Sequence, residues 1–288
     1  MKFAIKDFLQ EDGITFIGGP AGHGKTLVML NMVKVLLEGG RLFNYDPFEV
    51  VSATKRVLYL IPESGLGPFA HRLRLFNLCG HVKDKRLFYR TMSIEEPWEK
   101  LTDPRLLRAA EGADVFLDTA IRFMDGEENS ASDSRQFADV LFALQASGAR
   151  SITCAHHSSK GFERQDSMSL ETALRGSGDI GAMAVSAWGV RQIEKAANRI
   201  HVENLKCRAF EPCEPFRLEG RPWIEQEHSF RMIAQPGTVT KKMTVKAEDP
   251  KVVAARALKA QGLTDEDVAA ALGLTDRTLR NWRASGKL

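Results

Sequence analysis

Long apolar runs are missing from this sequence. Nowhere does it reach the roughly 18 consecutive apolar residues of a membrane-spanning helix, so no membrane partner is expected. Cysteine is scarce and scattered. The four, Cys79, Cys154, Cys207 and Cys213, lack the close spacing of a zinc site or a redox motif and are expected to be reduced thiols. The opening stretch, Met1 to Asp7, lacks the apolar core of a secretory signal, which makes the cytoplasm the expected location. Strong charge of one sign is also lacking. At a formal net charge of +3, a nucleic-acid partner has to be argued from clustered basic residues and not from the total. No internal repeat of solenoid or propeller period occurs.

What is present is the composition of a globular protein. Its 288 residues are 43% hydrophobic and 27% charged, enough to bury a sizeable core and to build one large α/β domain with a small appendage. From Gly13 to about Arg208, short apolar runs alternate with longer periodic stretches, the pattern of a mainly parallel sheet covered by helices. Four runs, Ile14 to Gly18, Val57 to Ile61, Val115 to Leu117 and Ser151 to Ala155, read as strands buried on both faces. Thr26 to Leu37 and Ser134 to Ala146 read as helices. Shorter strand-like pieces follow at Pro215 to Leu218, Trp223 to Glu225 and Phe230 to Ile233, and are expected to finish the sheet in antiparallel fashion. The stretch from Gln235 to Pro250 has no apolar period. The expected division is therefore a domain over 1–235, a linker over 236–249 and a helical module over 250–288.

Gly19-Pro20-Ala21-Gly22-His23-Gly24-Lys25-Thr26 matches G-x-x-x-x-G-K-[ST], and it follows an apolar strand and opens a helix through Leu27. Glycines let successive backbone N–H groups turn inward, and the helix N-terminus adds positive potential, so the segment predicts a phosphate cradle for ATP. Lys25 is expected to reach the β- and γ-phosphates, and the Thr26 hydroxyl to ligate Mg²⁺. Asp118, at the tip of Ala113 to Leu117, is placed to hold the metal through water; its other reading is a cap on the turn into Thr119. Glu63, just past the second strand, is the candidate general base. His156 and His157, in the run His156-His157-Ser158-Ser159-Lys160 after the fourth strand, suit γ-phosphate sensing and equally suit a structural role.

These strand-end signals in this order resemble the RecA-like ATPases, in particular the branch of plasmid RepA-type and replicative DnaB-type hexameric helicases. The resemblance covers about Lys6 to Ile233. Besides the motifs above it is carried by Leu174-Arg175-Gly176-Ser177-Gly178. It implies rings, hexamers above all, in which each ATP lies between subunits and a neighbour's basic residue completes the site. Lys206-Cys207-Arg208 resembles the DnaB-type Lys-x-Arg pair, which makes Arg208 the implied finger and Lys206 its companion; Arg175 and Arg191 are the other candidates. The sequence departs from the RepA pattern about ten residues after Arg-Gly-Ser, where Val185 stands in place of an arginine. Lys160 and Arg164, in the loop from Ser158 to Ser169, occupy the place of a central-channel loop for single-stranded DNA, or simply of a solvated loop.

Toward the C-terminus, Thr264 precedes Asp265-Glu266-Asp267 as an N-cap with an acidic first turn, Gly273 breaks that helix and Thr275 can cap the next. This segment resembles the helix-turn-helix of resolvase- and transposase-like modules. The resemblance points Arg277, Arg280, Asn281 and Arg283 at duplex DNA; a small docking element is the other reading. Three functions fit the whole: a ring-forming DNA motor, an ATP-dependent DNA-bound regulator that does not unwind, and a signalling ATPase that binds protein partners only.

Overall fold

A computed structural model describes residues 2–92, 100–126, 130–159, 168–174, 178–195, 198–222, 230–235 and 264–284, together with 252, 254, 255, 258 and 259. Two compact units emerge, Met1–Thr238 and Val239–Leu288. The strand expected at Trp223 to Glu225 and the linker fall outside the described residues.

In the first unit, β1 (Phe3–Ile5) and β2 (Leu9–Gln10) form a small antiparallel pair. The described strands of the main sheet are β3 (Ile14–Gly19), β4 (Val57–Ile61), β5 (Leu87–Thr91), β6 (Asp114–Leu117), β7 (Ser151–His157), β8 (Ser186–Glu194), β9 (Arg199–Cys207), β10 (Phe216–Pro222) and β11 (Phe230–Gln235). Their spatial order is β11-β10-β9-β8-β3-β7-β6-β4-β5. From β8 to β5 all neighbours are parallel, and from β8 to β11 all are antiparallel. The crossovers carry α1 (Lys25–Glu38), α2 (Leu66–Leu75), α3 (Cys79–Lys83), α4 (Pro104–Ala110), α5 (Ala131–Ala146), α6 (Leu170–Ala173) and α7 (Gly178–Met183). The fold is α/β with a mostly parallel central sheet, that of a RecA-like P-loop core.

Strand alternation divides the core into two layers. On β3, Ile17 joins the cluster of Val28, Met32 and Val33 from α1, while Phe16 joins Phe137, Leu141 and Leu144 from α5. On β7, Ala155 faces the α1 side and Cys154 the α5 side. Because both faces are covered, β3, β4 and β6 are apolar at nearly every position, which is why they are legible as strands. Two strands carry no such signal. β5 is an edge strand with only Leu87 fully buried, and β8 is interrupted by Gly189, where an added Cβ would stand 2.6 Å from Met168 Sδ and 3.0 Å from Leu205 Cδ1. Close packing there demands glycine and erases the apolar pattern.

Trp188 on β8 pins the β1–β2 pair to the sheet. Its ring stacks on Phe8 at 4.1 Å and 15°, its Nε1 donates to the Phe8 carbonyl at 3.2 Å, and it is wholly buried.

In the second unit, α8 (Asp265–Leu272) begins at a Thr264 capping box with Asp267 and ends at Gly273 in the left-handed region. After a short connection, α9 (Asp276–Ala284) follows, with the Thr275 hydroxyl accepting the Thr278 N–H at 3.3 Å. Val268, Ala269 and Leu279 bury against Ala255, with Leu272, Leu274 and Trp282 packed around them.

Replacing Trp188 by alanine removes a buried ring and leaves a cavity, so it should cost about 3–5 kcal/mol of unfolding free energy. Urea denaturation at constant pH reads this as a lower midpoint, and a midpoint within about 1 kcal/mol of the parent would show that β1–β2 is held by other contacts.

Candidate active site

β3 ends at Gly19 and the chain turns through Pro20 to Gly24 before entering α1. Gly24 takes φ 90°, and a Cβ there would stand 2.3 Å from Ile200 Cδ1, so both conformation and space require glycine. Pro20 and Gly24 are partly covered, while Ala21 and Gly22 are exposed, which leaves one side of the loop open. His23 is fixed from β8, its Nδ1 accepting the Gln192 backbone N–H at 3.2 Å. Leu27, in the first turn of α1, packs against the core under the helix. Among the described residues no side chain caps the α1 N-terminus, whose unpaired amides are a ready anion site.

Lys25 lies folded over this loop. Its Nζ donates to the Gly19 carbonyl at 2.7 Å and the Pro20 carbonyl at 2.8 Å. Burial pulls its pKa down to about 8, and the negative charges of Asp118 and Glu63 oppose the shift. Asp118 follows β6, which is separated from β3 by β7, and its side chain crosses that gap. Its Oδ2 accepts from Thr26 Oγ1 at 2.8 Å and from the Tyr59 hydroxyl at 2.9 Å. Burial raises the Asp118 pKa, opposed by these two hydroxyls and by the positive charges of Lys25 and Arg72. The Tyr59 hydroxyl is raised well above its ordinary value by burial and by the Asp118 charge.

Beside Asp118 opens a cleft of about 340 Å³ lined by Thr26, Ile61, Glu63, Ser64, Gly65, Pro68, Arg72 and Asp118. Glu63 sits on its wall, and its Oε1 accepts from Arg122 Nε at 2.7 Å. The structure thus brings together Gly19 to Thr26, Asp118 and Glu63. Sequence reasoning missed Arg72 and Tyr59. Pro68 and Arg72, one helical turn apart on α2 and both on the cleft, were the available signal for the first; nothing local marks a tyrosine inside an apolar strand as an Asp118 partner.

The two histidines part company. His156 pairs in register with Gly18 and is buried edge-on to Phe16, on the α5 side. His157 pairs with Gly19, is partly exposed and by alternation lies on the α1 side, and the Ser158 N–H donates to the Gly19 carbonyl at 3.2 Å. Arg191, also partly exposed, follows Val190 on β8.

Lys206 and Arg208 are not part of this cluster. Thr15 pairs with Ser186, and Ser186 with Cys207, so both sit at the edge where β3 begins. Lys206 Nζ donates to the Gly181 carbonyl at 2.7 Å, and the Arg208 guanidinium donates to the Ala182 carbonyl, both at the end of α7. Partial burial and the neighbouring Arg208 charge lower the Lys206 pKa. The Arg208 N–H donates to the Val185 carbonyl at 3.0 Å, which sets Arg208 beside the position where the RepA-type pattern carries arginine. Lys160, Arg164 and Arg175 lie outside the described residues. On α9, Arg277 and Asn281 are exposed, whereas the side chains of Arg280 and Arg283 are outside the described residues.

A family model described as an AAA domain matches residues 2–163, more than half of the chain and all of the cluster around Lys25. The chain belongs to the AAA domain family. No curated protein matched the sequence. Membership of the AAA domain family together with this geometry makes the protein a nucleotide-hydrolysing P-loop ATPase. The match ends before Lys206, Arg208 and the second unit. No described helix is long and apolar enough to cross a membrane.

The Lys25 shift gives this AAA domain ATPase a pH signature. A phosphate-bound Lys25 is charged, and the free site loses that charge as pH rises through about 8, so nucleotide binding takes up a proton above that pH. Affinity for a fluorescent ATP analogue should therefore fall about fivefold from pH 8 to pH 9 and approach tenfold per unit beyond. The profile of Lys25→Ala should be weak and flat; a flat profile in the parent would place the Lys25 pKa well above 8.

Proposed function

We propose that this ATPase hydrolyses ATP with Mg²⁺ in a homo-oligomeric ring, hexameric by its resemblance, and acts on DNA as a RepA-like helicase or translocase. The observation that carries the ring is the position of Lys206 and Arg208. They stand at the start of β3, four residues or roughly 13 Å along the strand from Gly19 at about 3.3 Å per residue, and on the far edge from their own phosphate loop. That distance keeps them from their own chain's phosphates and supports a role in completing a neighbour's site.

Within each site the fit is chemical. Lys25 and the α1 amides would hold the phosphates. Thr26 and Asp118 offer the hard oxygen donors that Mg²⁺ takes in small number beside phosphate oxygens and water, which supplies charge neutralisation at the transferring phosphoryl group. Glu63 would orient and deprotonate the attacking water, and Arg72 adds positive charge from the same chain. His157 is the better placed of the two histidines to sense the γ-phosphate, and His156, buried against Phe16, fits the structural role.

On the DNA side, Lys160 and Arg164 would track a single strand, while Arg277, Arg280, Asn281 and Arg283 on α9 would read duplex as the second helix of a helix-turn-helix. One observation favours a second reading, a DNA-bound regulator that assembles with ATP but does not unwind. The C-terminal residues form a unit of their own, with a capped helix and a private apolar cluster, as a site reader needs and a processive motor does not.

Arg208→Ala should keep nucleotide binding and lower kcat by about 10³-fold, the usual scale for an arginine finger. Mixing it with Lys25→Ala subunits, which retain Arg208, should restore turnover; mixed rings that stay inactive would place the finger elsewhere. Removing residues 239–288 should leave basal ATPase intact and weaken duplex binding, with a shallower salt dependence. Single-stranded DNA stimulation of a ring, measured alongside, selects the motor, whereas an unstimulated ATPase that binds duplex only through these residues selects the regulator.

A further inference from the structure

The Arg122–Glu63 pair joins the candidate base to a residue that no part of the phosphate chemistry uses. Arg122 lies in the short 3₁₀ turn Ala120–Phe123, directly after Asp118, and its backbone N–H donates to the Thr119 carbonyl at 3.3 Å. Its Nε donates to Glu63 Oε1 at 2.7 Å. The side chain is 63% exposed, against 31% for Glu63, so the pair spans from the cleft wall to the surface. A guanidinium on a carboxylate oxygen occupies a lone pair that would otherwise take the water's proton, and it fixes the rotamer in which the carboxylate stands.

We propose that Arg122 is a positioning residue that holds Glu63 at rest, so that hydrolysis waits until the ion pair opens. This rests on the reading of Glu63 as the base. The turn carrying Arg122 begins two residues after Asp118, the carboxylate bonded to Thr26, so the pair is tied by a short stretch of chain to the phosphate loop. Because the pair is solvent-facing, it is weak and readily exchanged, as a latch must be and a structural clamp need not be.

Arg122→Gln removes the charge from an exposed side chain and should leave the melting temperature unchanged. It should raise basal kcat for ATP about two- to fivefold, the population shift an exposed ion pair sustains, with KM unaltered. High salt should raise the parent's basal kcat in the same direction and leave Arg122→Gln unmoved. In a Glu63→Gln background, Arg122→Gln should add nothing, because the two act through one contact. An unchanged or lower kcat for Arg122→Gln overturns the latch, a lower one showing that Arg122 aims Glu63 for catalysis. Glu63→Gln turning over at the parent rate would instead overturn the choice of base, and a fully active Lys25→Ala the phosphate site itself.

Discussion

One carboxylate oxygen, Asp118 Oδ2, receives two hydroxyls that come from different elements: Thr26 at the start of α1 and Tyr59 inside β4. Hydrogen bonds to a charged acceptor contribute about 1.5–3 kcal/mol each, more than most single contacts at a strand end. Through them the phosphate loop, the strand that delivers Glu63 and the strand that delivers Asp118 are held at a fixed spacing. β7 lies between β3 and β6 and sets their spacing through its ladders with both, while the Thr26 and Tyr59 hydroxyls fix the Asp118 side chain across that gap. Tyr59 in turn is held by its stack on Phe116, so the site's geometry is inherited from the aromatic packing of the sheet.

Much of this was legible in the sequence, and the physics explains which part. β3, β4, β6 and β7 are covered on both faces and read as apolar runs, and because parallel strands all point one way, their ends converge on one edge. Lys25, Thr26, Glu63 and Asp118 could therefore be gathered into one cluster before any coordinates existed. β5 and β8 were illegible for opposite reasons. The first is too exposed to show a pattern, and the second is so tightly packed at Gly189 that the pattern is broken. Arg72 and Tyr59 belong to the site through tertiary contact alone, and spacing within one segment does not encode it. The pairing of histidines in His156-His157 looked like one feature in the sequence; alternation along β7 splits it into a buried ring and an edge ring.

The antiparallel extension reverses the usual logic of the sheet. Functional groups on parallel strands gather at the C-terminal edge, but β9 runs the other way, so its own C-terminal end delivers Lys206 and Arg208 to the opposite edge. That inversion is what would let one chain present a phosphate site on one side and a basic pair on the other. In the isolated chain both cations rest on carbonyls at the end of α7, where a helix C-terminus favours positive charge. A partner would have to offer more than those carbonyls to claim them, and the phosphate oxygens of a bound nucleotide do.

The site is also poised by burial. Lys25 and Asp118 are each pushed toward neutrality by loss of water, and each is only partly compensated by the other's charge. Lys25 is satisfied by the Gly19 and Pro20 carbonyls and Asp118 by two hydroxyls. A ligand that brings anionic oxygens to Lys25 and a cation toward Asp118 relieves both desolvation costs at once. A ligand that brings one without the other relieves half and leaves the remaining charge more exposed to its neighbour's absence. If phosphate met Lys25 and a cation met Asp118, their affinities would be coupled, because each of the two groups feels the other's charge.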